Sequence, residues 1–341
     1  MSLLLFFACA EPPQVNVPAP GPDGQPGQQG GQEAVPATGP VVIYSGRGES
    51  LVGELFERVE AETGVEIEVR YGDTPELVTL LLTEGAQSPA DMIFAQDSGH
   101  LGALAERDLL RPITPSILAE ADPRFQDAEG RWVGTSGRAR VLVHNAGVTE
   151  LPAKLSELGD PKWKGKLGWA PGNGSFQSHV SVLRHLWGED ETRAWLEAVK
   201  ANEPQVYPKN SPQVEAAHVG EISLGWVNHY YLHKKKTDGY QAANWSFPEA
   251  GDAGNVLMLA GVGVRAGTAR IEQAEKVVAW LLSEDVQGWF AQNTFEYPVR
   301  PGVATHPDVP ALDTLQLAEI EQAWLADLAP TRAMLQDLGL I

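Results

Sequence analysis

From Val41 onward, short apolar runs alternate with amphipathic stretches. "VVIYS" (41–45) predicts a buried strand, and "ESLVGELFERVEAETG" (49–64) carries Leu51, Val52, Leu55, Phe56 and Val59 at helical spacing before stopping at Gly64. "VEIEVRY" (65–71) then alternates with period two, so Val65, Ile67, Val69 and Tyr71 share a face. A helix over 75–84 closes at Gly85, and "DMIFA" (91–95) predicts the next strand. The rhythm resumes with strands over "RVLVHN", "GKLGWA", "PQVYP", "EISLGWVN" and "VLMLAGVGV". Helices are expected over "FQSHVSVLRHLWG", "DETRAWLEAVKAN", 212–219, "RIEQAEKVVAWLLSE", "DVQGWFAQ" and two segments nearer the C-terminus. Such alternation implies parallel strands covered by helices. The strands are too many for one small sheet, and "SGRAR" (136–140) reads as a crossing between two. The expected fold class is α/β with two lobes, each a mostly parallel sheet flanked by helices, and a ligand cleft at the strand carboxyl ends between them.

Composition narrows the partners. The 25 basic against 45 acidic residues, a formal charge of −20, argue against nucleic acid, which needs an excess of Lys and Arg on one face. The single cysteine excludes an internal disulfide and a four-thiolate zinc site. In "MSLLLFFACAEPPQ", Cys9 follows an apolar run and Ala8, and a Pro-, Gly- and Gln-rich segment extends to Pro40. This arrangement resembles the end of a bacterial lipoprotein signal, with Cys9 as the lipidated residue and 10–39 as a disordered tether to a membrane surface. No other stretch approaches the ~20 apolar residues of a membrane span.

Catalytic signatures are missing: there is no GxSxG, HExxH or Walker sequence, and the glycines of "GVGVRAG" lie inside an apolar strand without the acidic partner of a dinucleotide site. A two-carboxylate hydrolase stays open as an alternative, with no carboxylate pair singled out. "GWVNHYYLHKKK" (225–236) is different, because it places two of seven tyrosines side by side where an apolar run ends. Phenolate oxygen suits a hard cation such as ferric iron. Adjacent strand residues point to opposite faces, so both rings reach one metal only if a helical turn begins near His229. The competing reading is amphipathic packing with both hydroxyls in water.

Several segments, in order and over nearly all of residues 40–300, resemble the ferric-iron-binding solute receptors of bacterial ABC importers. They are "VVIYSGRGES", "SPADMIFAQD", "SGRARVLVHN", "GVTELPAKLSELGDPKWKGKLGWAP", "YPKNSPQVEAAHVGEISLGWVNHYY" and "FEYPV". The resemblance implies a two-lobed type II periplasmic-binding-protein fold. One lobe would comprise 40–138 with about 261–312, and the other 139–260 with about 313–341. It implies Tyr230 and Tyr231 as metal ligands. It also implies an oxyanion, carbonate or phosphate, held by Asn173, Gly174 and Ser175 at a helix start with Asn210, Asn228 and Arg138. Where that family places a histidine and a glutamate on the facing lobe, this chain has Gly48 and Gln96, which leaves Glu49, Gln96, Asp97 or the anion to complete the shell. The function implied is capture of Fe(III) by a monomeric, membrane-anchored lipoprotein of the cell envelope, for delivery to a permease and ATPase complex, with no enzymatic step. The alternative within the fold is a receptor for a phosphorylated or cationic organic solute.

His229, His233 and Lys234–Lys236 are expected on a solvated helix face. Arg47 is a cleft candidate, holding the anion or pairing with Asp97. Tyr44 and Tyr71 fit strand positions in the core, and Tyr297 is expected to pack near the hinge.

Overall fold

The computed structural model describes residues 39–236 and 239–341. Cys9 and the tether to residue 38, with the lipid anchor expected of them, lie outside the described residues. The strands are β1 (Val41–Ser45), β2 (Ile67–Tyr71), β3 (Met92–Ala95), β4 (Leu110–Arg111), β5 (Trp132–Asn145), β6 (Leu167–Trp169), β7 (Gln205–Val206), β8 (Leu224–Asn228), β9 (Ala242–Trp245) and β10 (Leu257–Arg265). They are ordered β2-β1-β3-β10-β5-β8-β6-β7, with β4 on β10 and β9 on β5.

The flanks are parallel, as β1 with β2 and β3, and β6 with β7 and β8. Parallel neighbours need crossovers, and the predicted helices supply them: Thr74–Glu84 between β2 and β3, Gly174–Trp187 and Glu189–Ala201 between β6 and β7, and Asn210–Val219 before β8. The centre departs from the simple alternation, because β10 runs antiparallel to both β3 and β5.

Strand β5 has 14 residues, about 46 Å at ~3.3 Å per residue, and serves two halves of the molecule. Trp132 to Ala139 pair with β10, and from Arg140 the partner is β8, with Arg140 opposite Asn228. This switch falls inside 136–140. Ala95, the end of β3, lies on the side of β10 that leads to Leu257, and Leu257 faces Ala139. The β3 and β8 carboxyl ends therefore face the same stretch of β5, from Gly134 to Arg140.

One apolar cluster joins Leu55, Leu81, Phe94, Val262 and Phe290, and another joins Trp169, Phe176, Trp195, Trp226 and Phe247. In the second, Phe176 and Trp195 meet the Trp226 ring edge-on at 4.9 and 5.6 Å between centroids. Each fully buried aromatic contributes roughly 3 kcal/mol of transfer free energy, so this cluster fixes β8 firmly beneath the site.

Two local features were not foreseen from the sequence. The helix expected over 49–64 is two, Glu49–Phe56 and Val59–Thr63, with a break at Glu57–Arg58. The Ser98–Ala105 helix carries little periodicity because it packs by small residues: a Cβ on Gly99 would stand 2.5 Å from the backbone nitrogen of Ala326.

Candidate functional site

The apolar strand β8 ends at Asn228, and a short helix, Tyr230–Lys235, starts at once. The turn brings both phenols to one side, and the rings of Tyr230 and Tyr231 stack at 4.3 Å between centroids with 28° between planes. Tyr230 is buried and Tyr231 half-buried. Burial first, and then the neighbouring Tyr231, push the Tyr230 phenol above its ordinary value, against the pull of Arg138. At neutral pH its proton stays on unless a cation displaces it.

Beside the pair, four predicted oxyanion residues form one hydrogen-bonded chain. Asn173 caps the Gly174–Trp187 helix, its Oδ1 accepting from Ser175 N at 3.1 Å and Ser175 Oγ at 2.9 Å. Asn210 Nδ2 donates to the same Oδ1 at 3.4 Å, and Asn228 Nδ2 donates to Ser175 Oγ at 3.3 Å. Asn210 is fully buried and its Oδ1 has no partner among the described residues. Gly174 opens the helix, and beyond its chain neighbours and its own helix backbone no described atom lies within 4 Å of where its Cβ would stand.

The chain ends on a residue not singled out from the sequence. Arg140 Nη1 donates to Asn228 Oδ1 at 2.9 Å and Nη2 to Trp226 O at 3.1 Å, with the guanidinium 5.2 Å from the Trp226 ring centroid. Burial pulls Arg140 down to about 9, against the opposing influence of Tyr231 and Tyr230, while Arg138 adds to the depression. A signal was available: Arg138 and Arg140 are two apart on one strand and share a face. Arg138 is also buried but turns to the other half, donating to Gln96 O. Its charge lies close enough to influence Tyr230, Asp97 and Glu296.

The facing residues stand at the ends of β1 and β3. Glu49 is exposed at the first position of its helix. Gln96 N donates to Thr74 Oγ1 at 3.0 Å. Asp97 caps the Ser98–Ala105 helix, accepting from His100 N at 3.1 Å, and lies 2.6 Å from His100 Nδ1. Burial works to raise the Asp97 carboxyl, but His100 and Arg138 outweigh it and hold it below the usual range. The structure thus brings the tyrosines and the asparagine chain together, and joins Gln96 and Asp97 to them through Arg138.

Three flanking expectations are corrected. Arg47 does not pair with Asp97; fully buried, it donates to both oxygens of Glu296, at 3.0 and 2.9 Å, and to Ser136 Oγ at 3.3 Å. His229 is not on a solvated face: it is buried, accepting at Nδ1 from Ala139 N (3.1 Å), so that Nε2–H donates to Phe295 O (2.7 Å). His233 is half-buried, its ring stacked on Phe295 at 5.6 Å. Tyr297 and Phe295 cover the histidine side of this short helix, whereas Lys234, Lys235 and Lys236 are exposed, as expected.

Among the described residues, no three His, Cys, Asp or Glu side chains converge as a metal cage. A cavity of about 690 Å³ lies elsewhere, lined by Phe125, Leu257, Leu312, Gln316, Ile320 and Gln322, and includes none of the candidate residues.

Residues 54–316 match the model of the bacterial extracellular solute-binding proteins, and the chain belongs to that family. It is 31% identical over 305 residues to the Fe(3+)-binding periplasmic protein of Serratia marcescens, covering 86% of this chain and 89% of that one. To iron uptake protein A1 of Synechocystis it is 32% identical over 317 residues, covering 87% and 86%. The fold superposes on iron-bound HitA from Pseudomonas aeruginosa with a TM-score of 0.81 at 28% identity, over 88% of this chain and 99% of that one. It is the two-lobed fold of periplasmic binding proteins. Among the described residues, no helix is long and apolar enough to cross a membrane.

Proposed function

We propose that this protein is the solute-binding component of an ABC importer and captures Fe(III) through Tyr230 and Tyr231. The observation that carries the reading is the stacked phenol pair, 4.3 Å apart, beside a buried guanidinium to which no carboxylate is hydrogen-bonded among the described residues. Ferric iron exchanges the phenolic protons for a trivalent charge and leaves coordination positions open. An oxyanion, carbonate or phosphate, fills them from the Gly174–Ser175 helix start, Asn173, Asn210 and Asn228, with Arg138 and Arg140 supplying positive charge. Glu49, Gln96 and Asp97 complete the shell from the facing half as the lobes close, and the closed form docks on a permease driven by its ATPase. The names of the relatives support iron as cargo, and their class supports a binding role without catalysis. Cys9 would anchor the protein at the membrane.

The test is a ferric titration of the full chain, followed by visible absorption. A phenolate-to-iron charge-transfer band that disappears in Tyr230→Phe plus Tyr231→Phe is expected; no band in the native protein overturns the reading. The buried arginines favour a second reading, a phosphorylated organic solute bound without metal. Saturable binding of a sugar phosphate to the metal-free protein would support it.

A further inference from the structure

We propose that Phe295–Glu296–Tyr297 is a coupling element that ties the tyrosine pair to the facing loop Gly46–Glu49, with His229 and Glu296 as its positioning residues. Three consecutive residues reach three different parts of the fold. Phe295 O accepts from His229 Nε2 at 2.7 Å, and His229 N also donates to Ala139 O at 3.0 Å, so the residue before Tyr230 is held at both its ring and its backbone. Glu296, fully enclosed, accepts from Arg47 of the facing loop and from Ser136 Oγ at 2.7 Å. Tyr297 exchanges two backbone hydrogen bonds with Gly137 of β5, at 2.7 and 2.8 Å.

The segment is also conformationally unusual. Phe295 has φ +60°, a left-handed conformation rare for a phenylalanine, and it follows a π-helical turn over Phe290–Thr294. Such a conformation persists only where its surroundings hold it, and here the holders are His229, Arg47 and β5 themselves. The loop it reaches is equally fixed: Ser45 Oγ donates to Arg47 O at 2.8 Å, which sets the loop just before Gly48 and Glu49. A displacement of the tyrosine helix therefore moves Phe295, and the rigid Arg47–Glu296 pair passes that movement to the opposite side of the cleft. Coupling of this kind is reciprocal.

The coupling can be read without any ligand, by amide hydrogen exchange on the full chain. His229→Gln is expected to raise exchange at Gly46–Val52 by about tenfold, although His229 makes no hydrogen bond to that loop, while the Glu189–Ala201 helix stays unchanged. Glu296→Gln, which keeps the shape and removes the charge, is expected to raise exchange in the Tyr230–Lys235 helix. If His229→Gln does not fold, this second variant decides alone. Unchanged exchange across the cleft in the folded variants overturns the coupling. A further arm rests on the ferric reading: in Glu296→Gln the charge-transfer band should persist while the iron-induced fall in radius of gyration is lost. A native protein without the band removes the ferric reading, and the exchange result still decides the coupling.

Discussion

Arg140 donates to Asn228 Oδ1 at 2.9 Å, and that bond suspends a fully buried cation beside two phenols. It also donates to the backbone carbonyl of Trp226, and among the described residues no carboxylate is hydrogen-bonded to it. A charge in that setting is tolerable where an anion completes the site.

Arg140→Lys keeps the charge but loses the fork that orients Asn228 and spans to Trp226 O. Loss of an orienting partner of this kind weakens metal affinity by about 10–100-fold. Isothermal titration with ferric citrate should show that fall, with the charge-transfer band unshifted because the phenols remain.

Iron affinity should rise with pH. Tyr230 lies above its ordinary value and is protonated at neutral pH, so each phenolate formed on binding releases a proton. Apparent affinity then gains about tenfold per pH unit for each proton released. Titrations at pH 6, 7 and 8 in weakly and strongly protonating buffers would count the protons, and a flat profile would contradict ligation by the phenols.

Gly46→Ala should disturb the facing loop directly. The new Cβ would lie 1.9 Å from Thr74 Oγ1, 2.9 Å from Thr74 Cβ and 3.1 Å from its Cα, so rotation of the hydroxyl alone cannot relieve the clash. Overpacking of this kind costs about 1–3 kcal/mol, and the Gln96 N to Thr74 Oγ1 bond is lost with it. A lower urea midpoint, with weaker ligand binding than destabilisation alone explains, is the expected outcome.

Acid should destabilise the fold through His179. Burial, with help from Arg140, lowers this histidine to about 3, while Nε2 lies 2.6 Å from Ala253 O. The unfolded chain takes up a proton near pH 6.5 and the folded chain does not. The contribution is therefore whole above pH 6.5 and shrinks as pH falls towards 3, amounting to about 3 kcal/mol lost by pH 4. Urea midpoints measured across pH 7 to 4 should fall more steeply in the native chain than in a folded His179→Gln variant.

Part of the candidate site was legible because it is local. The end of "GWVN" before two tyrosines reads as a turn since the apolar run stops there, and "PGNGS" reads as a helix start since Asn173 is a natural cap. His229 and Glu296 were not legible. His229 has the spacing of a solvated helix residue, and its burial depends on Phe295, 66 residues away. Arg47 and Glu296 are 249 residues apart, and no local pattern announces that an arginine in a glycine-rich loop meets a carboxylate beyond a π-helical turn.

The sequence by itself determined the alternation of strands and helices and the adjacency of the two phenols, which depend on periodicity or on neighbours along the chain, and its segments carried the family resemblance. Tertiary structure alone decided that Arg140 and Glu296 join Arg138 around the phenols. β5 changes partners between Ala139 and Arg140, so Arg138 is delivered to one half and Arg140 to the other. Buried cations and carboxylates find their partners by proximity in space, and that proximity is set only when both halves of the sheet meet on one strand.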